Sequence, residues 1–261
     1  MSRPPIASVP AGPVDVPRVV AELAGSDAVT PVWRNELGGL TFRLDGAGDG
    51  VGDGVGGTRY VKWAAAGTPE IDLPGEAERL TWARQWTTVP RVLAHGSDAD
   101  GAWLVTAALP GRSAVDPRWT ADPRTAAAVI GRGLRLLHDA LPVARCPYDW
   151  GVEHRLRRAG ERLGRGEARR RPGRPPAPDR LVVCHGDACA PNTLLHDDGT
   201  FAGHVDLGSL GVADRWADLA VAAWSTEWNY GPGHEAEVYE AYGVAPDPER
   251  IAYYRLLWDL T

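Results

Sequence analysis

Apolar and polar residues alternate through Leu40–Leu44, the period of a half-buried strand, and Val32–Leu37 and Arg59–Trp63 beside it read as two further strands. Gly38-Gly39 punctuates the first pair. The run "DGAGDGVGDGVGGT" separates the second pair as a loose, low-complexity hairpin loop. Ahead of them, Pro17 and "RVVAELAG" predict a short helix closing at Gly25. Behind them, Leu80, Ala83 and Trp86 recur at helical spacing, predicting a helix over Gly75–Trp86. "RVLAHG" and "AWLVTAAL" then read as a strand pair ending at Pro110-Gly111.

The pattern changes after that point. Val129, Ile130, Leu134, Leu137 and Leu141 form the apolar stripe of a long helix over Pro123–Leu141, and a second helix covers about Gly151–Leu163. "RRRPGRPPAPD" is a Pro-rich linker. A hairpin segment over 181–206 precedes helices near Asp214–Trp224, His234–Tyr242 and Pro248–Leu260. Strands first and helices later predict an α+β chain of two lobes with a cleft between them. The expected parts are a disordered, Pro-rich start (1–13), a β-rich lobe with one helix (14–107) and a mainly helical lobe (108–261).

Composition narrows the function classes. A formal net charge of −6 disfavours wholesale nucleic-acid binding and suits a small cationic substrate. No apolar run approaches the ~18–20 residues a membrane span needs. The start lacks the apolar core of a secretory signal, so a cytoplasmic protein is the expectation; a monomer is expected as well. Cys146, Cys184 and Cys189 have no C-x-x-C spacing, which argues against a disulfide framework or structural zinc. Nine arginines fall between Arg155 and Arg174; a solvated helix face followed by a mobile linker accounts for them better than an anion partner does. Of 28 basic residues only Lys62 is a lysine, so its position calls for something that Arg lacks.

The chemistry concentrates in "CHGDACAPN", residues 184–192. "DDGT" at 197–200 is a turn signal that pairs Thr193–Leu195 with Phe201–Val205 and so returns Asp206 to the side of Asn192. Asp187, Asn192 and Asp206 then converge. An acid that can accept a hydroxyl proton, beside an amide and a carboxylate that can hold Mg²⁺ through hard oxygens, suits phosphoryl transfer. Such chemistry also needs a cation on the nucleotide phosphates and a carboxylate to hold that cation. Lys62 on the third strand and Glu76 early in the next helix fill those roles.

With these residues in view, the chain resembles the aminoglycoside O-phosphotransferases. The resemblance runs through "YVKWA", "GEAERLTW", "WLVTAALPG", "LRLLHDALPVARCPYD", "LVVCHGDACAPNTLL", "GHVDLGSLGVADRWADLA" and "DPERIAYYRLL". It implies a bilobal protein-kinase-like fold and transfer of the γ-phosphoryl group of ATP, with GTP possible, to a 3′ or 3″ hydroxyl of an aminoglycoside. By the same resemblance Asp187 is the catalytic base, with His185 shaping its loop, and Asn192 and Asp206 hold Mg²⁺. Lys62, paired with Glu76, contacts the α/β-phosphates, and Gly38-Gly39 begins the loop over them. Thr106–Ala108 is the hinge whose backbone binds adenine, and Asp218 ties the catalytic loop down.

The chain also departs from that family. Ser209 stands where the family commonly has Arg, and the end is "WDLT" where the 3′ enzymes have Asp-Glu-x-Phe. Asp259 and the Thr261 carboxylate are partial replacements, and Trp224 and Trp228 are further candidates to line a substrate pocket through aromatic faces. The stretch between Cys146 and His185 is shorter and more basic than the family's acidic loop. The acceptor is accordingly an aminoglycoside or another small hydroxyl compound. A non-enzymatic nucleotide-binding protein is the distant alternative.

Overall fold

The computed structural model describes residues 7–10, 12–46, 57–163 and 172–261. Most of the Gly/Asp-rich connection (47–56), part of the Pro-rich start (1–6 and 11) and part of the Arg run (164–171) lie outside the described residues. The chain divides into two compact units: Met1–Arg84 with Pro90–Leu109, and Gln85–Val89 with Pro110–Thr261.

The first unit is built on one antiparallel sheet. Its strands are β1 (Ala7–Ser8), β2 (Ala28–Asn35), β3 (Leu40–Asp45), β4 (Arg59–Ala65), β5 (Val92–Ser97) and β6 (Gly101–Ala107), in the order β1-β2-β3-β4-β6-β5. Period-2 alternation sends Leu40, Phe42 and Leu44 inward, where they meet Val61, Val105 and the buried face of helix α1 (Arg18–Ala24) at Val20 and Ala24. Two expectations need correction here. Strand β2 runs from Ala28 to Asn35, beginning four residues before the expected start at Val32. Ala7 and Ser8, in the segment expected to be disordered, pair with Asn35 and Arg34. The free edge of β2 offers unpaired N–H and C=O groups, which an extended segment can satisfy whatever its side chains.

Helix α2 (Leu73–Ala83) starts earlier and stops earlier than its apolar spacing indicates. Asp72 caps it by accepting from the Gly75 N–H at 2.9 Å, and Pro74 sits in its first turn. Leu73, Ala77, Leu80 and Ala83 are its buried stripe, and Glu76 is buried with them. On the sheet, Lys62 lies at the centre of β4, opposite Thr41 of β3 and Leu104 of β6.

The second unit is mainly helical. After the short strand β7 (Arg112–Ser113) come α3 (Pro117–Thr120), α4 (Pro123–Ala140) and α5 (Val152–Leu163). Strands β8 (Leu181–Cys184), β9 (Thr193–Leu195), β10 (Phe201–His204) and β11 (Gly211–Asp214) follow, then α6 (Trp216–Tyr230), α7 (Glu235–Tyr242) and α8 (Pro248–Leu260). Asp116, Asp122 and Asp247 cap α3, α4 and α8, each with Pro in the first turn. Helix α4 buries Val129, Ile130, Leu134 and Leu137 and passes so close to α7 that a Cβ on Gly131 would lie 2.3 Å from the Val238 carbonyl oxygen.

Two small sheets carry the loops between these helices. β9 pairs with β10 and β7, as the turn at 197–200 requires for the first of these. β8 pairs with β11 instead, Cys184 opposite Gly211, so the segment 181–206 is not one hairpin. The "GVAD" stretch is therefore a strand, and α6 begins at Trp216, two residues later than the apolar pattern places it. No helix among the described residues is long and apolar enough to cross a membrane.

Candidate active site

The loop between β8 and β9 presents its polar groups because α6 holds its backbone. Asp218 is fully buried in α6; its Oδ2 accepts from the His185 N–H at 2.6 Å and its Oδ1 from the Gly186 N–H at 2.9 Å. Gly186 has φ +87°, and a Cβ there would sit 2.1 Å from the Ser209 carbonyl oxygen, so only glycine can follow His185. His138 of α4 completes the anchor, 2.9 Å from Asp218 Oδ2 through Nε2 and 3.0 Å from the Tyr242 hydroxyl through Nδ1. Burial alone would raise the Asp218 carboxyl. The His138 hydrogen bond, the electrostatic pull of the His138 and His185 rings and the Gly186 N–H outweigh it, and the carboxyl lies below its ordinary range.

The loop itself is closed by three further contacts. Asn192 donates through Nδ2 to the Asp187 backbone oxygen at 2.9 Å and to Asp187 Oδ2 at 3.1 Å. The Asp187 N–H donates to His185 Nδ1 at 3.3 Å, which leaves His185 Nε2 to donate to the Val205 carbonyl at 3.0 Å. Val205 in turn donates its N–H to the Asn192 carbonyl at 3.0 Å, so the residue before Asp206 is tied to both ends of the loop. Asp206 adopts φ +64°, a left-handed conformation that costs a non-glycine residue energy and that Asp tolerates better than most.

Electrostatics single out Asp187. Burial raises its carboxyl first and the neighbouring Asp206 charge second, opposed in part by the Cys189 thiol, His185 and the Asn192 amide. Its Oδ1 is buried with no hydrogen-bond partner among the described residues. A buried carboxylate oxygen without a donor costs a few kcal/mol, so a site that keeps one has a use for a donor that arrives from outside. Burial, then the Asp187 charge, hold the Cys189 thiol well above its usual range, which keeps it a protonated, unreactive neighbour.

Within the first unit, Lys62 and Glu76 are paired. Lys62 Nζ lies 2.7 Å from Glu76 Oε1 and 2.9 Å from Oε2, and Glu76 is buried while Lys62 is partly exposed. Thr106 lies in β6 opposite Tyr60 of β4, and the Ala108 N–H donates to the Thr58 carbonyl at 3.1 Å. Around Gly38-Gly39 the chain makes a tight turn. Asn35 Oδ1 accepts from the Leu37 N–H at 3.1 Å and the Gly39 N–H at 2.7 Å, and the Gly38 N–H reaches the Asn35 carbonyl at 3.1 Å. The donors of this turn are thus engaged within it.

The remaining candidates are on α6 and α8. Trp224, Trp228 and Trp258 form a triangle with ring centroids 4.7, 5.3 and 6.2 Å apart, and the Arg255 guanidinium stacks on Trp224 at 5.4 Å. Trp228 is exposed, as is Asp259. The Thr261 hydroxyl accepts from Arg155 Nε at 3.1 Å and Nη2 at 2.8 Å and donates to the Leu257 carbonyl at 2.8 Å. Sequence reasoning missed His138, Tyr242, Ser225 and Asn229. A signal for the last two was present: Asp218, Ser225 and Asn229 are polar positions on one face of a largely apolar helix.

An acid and an amide on the β8–β9 loop, with a second acid just after β10, form a donor set of the kind phosphoryl transfer uses. The chain belongs to the phosphotransferase enzyme family, whose model matches residues 50–254. It is 39% identical to an aminoglycoside 3′-phosphotransferase of Streptomyces fradiae, over 72% of this chain and 79% of that protein. It is 37% identical to the streptomycin 3″-kinase of Streptomyces griseus, over 78% and 85% of the two chains. Among solved structures it is similar to a 3″ aminoglycoside phosphotransferase from Streptomyces rimosus, in complex with ADP and streptomycin. That match has a TM-score of 0.65 and 29% identity, covering 93% of this chain and 96% of the other. The fold is the protein-kinase-like one.

Proposed function

We propose that this chain transfers the γ-phosphoryl group of ATP to the 3′ or 3″ hydroxyl of an aminoglycoside, as a monomer in the cytoplasm, and so confers resistance to the antibiotic. The observation that carries the reading is Asp187 Oδ1, a buried acceptor without a donor, beside Asn192 and Asp206. The acceptor hydroxyl supplies the missing donor. As its oxygen bonds the γ-phosphorus and the bond to the β-phosphate oxygen breaks, its proton passes to Asp187 and ADP leaves. Little covalent help is needed, so positioning and charge stabilisation supply the rate.

The donor set also fits Mg²⁺. Asn192 spends its Nδ2 on Asp187, neither bond uses its amide oxygen, and Asp206 adds a carboxylate whose charge already bears on Asp187. Asn192 and Asp206 would hold the ion, which supplies charge neutralisation for the nucleotide phosphates. Lys62 contacts the α/β-phosphates from β4, and Glu76 keeps its ammonium in place. The Thr106–Ala108 backbone receives adenine, which requires the Ala108 N–H to exchange Thr58 for the base. Gly38-Gly39 lies over the phosphates. Trp224 and Trp228 offer aromatic faces to the sugar rings, and Asp259 of α8 offers charge to the drug amines.

Relatives of nearly equal identity act at 3′ and at 3″ positions, by their names, so the test must read position as well as transfer. Purified protein is incubated with Mg-ATP and kanamycin, neomycin or streptomycin, and each product is weighed by mass spectrometry. A gain of one phosphate with stoichiometric ADP supports the reading, and fragmentation of the product identifies the hydroxyl. Absence of transfer to any aminoglycoside, with transfer to another hydroxyl compound, would move the acceptor assignment.

A further inference from the structure

The catalytic loop is held by α6 at two points, and only the first is the Asp218 carboxylate. Seven residues further along the same helix face, the buried Ser225 Oγ accepts the Ala190 N–H at 2.8 Å. Ala190 lies between Asp187 and Asn192, at the start of the single 3-10 turn Ala190–Asn192 that separates acid from amide. Asn229, one turn beyond Ser225, donates Nδ2 to Ser225 Oγ at 3.2 Å and to the Ser225 carbonyl at 2.8 Å. Two donors on the Ser225 oxygen fix its rotamer. Its hydroxyl also lies against the Cys189 thiol, where it offsets part of the rise that burial and the Asp187 charge impose.

We propose that Ser225, braced by Asn229, is a positioning residue that sets the distance between Asp187 and Asn192 from the far side of the loop. A helix is a rigid ruler: at 1.5 Å per residue, Asp218 and Ser225 are about 10 Å apart along its axis. The loop segment between His185 and Ala190 spans those two marks. Without the second mark the loop stays attached to α6 only at His185 and Gly186, and the 3-10 turn that aims Asp187 and Asn192 can shift relative to α6, held by Ser113 at the Pro191 carbonyl and by Val205 at the Asn192 carbonyl. A misplacement of about 1 Å costs up to about 100-fold in rate, and the effect falls on kcat.

The inference rests on the phosphotransferase reading, so the wild-type protein must first transfer phosphate in the same assay; if it does not, that reading fails and not this one. Given transfer, Ser225→Ala is expected to lower kcat by about 10- to 100-fold with the KM for ATP changed less than about threefold. Ala190→Pro deletes the same hydrogen bond from the loop side. Cys189 before it is extended (φ −67°, ψ 151°), as a residue preceding Pro prefers, so the substitution suits the backbone. It gives the same reading should the α6 variant fail to fold. The double variant Ser225→Ala/Ala190→Pro should be no slower than the slower single one, since both remove one interaction. Unchanged kcat in either folded single variant, a loss confined to KM, or additive losses in the double, would overturn the proposal.

Discussion

Asn192 Nδ2 stands 3.1 Å from Asp187 Oδ2, so in this site the amide serves the acid and leaves its own oxygen for another partner. The two residues are five apart in sequence and share one short turn. That relationship makes Asn192→Asp a severe change although it preserves shape. It replaces a donor by an acceptor and sets a third carboxylate beside Asp187 and Asp206. Turnover should fall by at least about 100-fold, a loss of about 2.7 kcal/mol of transition-state stabilisation, and the acid limb should move to higher pH. Steady-state rates across pH check both.

Asp187 itself trades stability for function. Its carboxyl is raised by burial and by Asp206, so the folded protein binds its proton more tightly than the unfolded chain does. Between the ordinary carboxylate range and the raised value, stability therefore falls as pH rises. Asp187→Asn removes that dependence. The variant should have no measurable transfer yet a higher Tm than wild type at neutral pH, with the gap closing as pH drops below the ordinary range. Paired thermal melts without nucleotide across that range test the sign.

Lys62→Arg should fail as a conservative change. The ammonium fits between two oxygens of a buried carboxylate at 2.7 and 2.9 Å, and a planar guanidinium has a different reach. At least a tenfold loss in kcat/KM for ATP is expected, with Tm altered by no more than a few degrees. Lys62→Ala should also lower Tm, because it takes the Lys62 ammonium away from the buried Glu76 carboxylate. Nucleotide titration and melting curves separate the two variants.

Asp218→Ala strips the acceptor from the His185 and Gly186 N–H groups and from His138 at once. Each buried donor left unpaired costs about 1–3 kcal/mol. A loss of several kcal/mol lowers Tm by about 10 °C in a chain of this size. His138→Phe removes one of the three bonds and should fall between that variant and wild type. Differential scanning calorimetry orders the three proteins.

Much of this site was legible because its chemistry is local in sequence. Asp187, Asn192 and Asp206 are linked by one turn and one hairpin, and the "DDGT" signal fixes that pairing. Lys62 drew notice as the lone lysine, and Glu76 by its place in the next helix. The pairing of β8 with β11 was not legible, because both segments are short and apolar and nothing nearby specifies the partner. The β1 contact was hidden for the opposite reason: strand pairing through backbone alone needs no side-chain pattern. The network behind the loop was obscured by distance, with His138 and Tyr242 lying 80 and 24 residues from Asp218. Ser225 and Asn229 could have been read from their spacing on α6, where a buried helix carries polar residues only at cost.

The claim that Asp187 is the base on which transfer depends can be tested in one experiment. Wild-type protein and Asp187→Ala are each incubated with Mg-ATP and an aminoglycoside mixture, and the products are weighed by mass spectrometry while nucleotide binding is measured on the same samples. The account predicts one added phosphate on a drug with wild-type protein. With the variant it predicts nucleotide binding close to normal and transfer reduced by orders of magnitude. Transfer by the variant at a rate near that of wild type would contradict it.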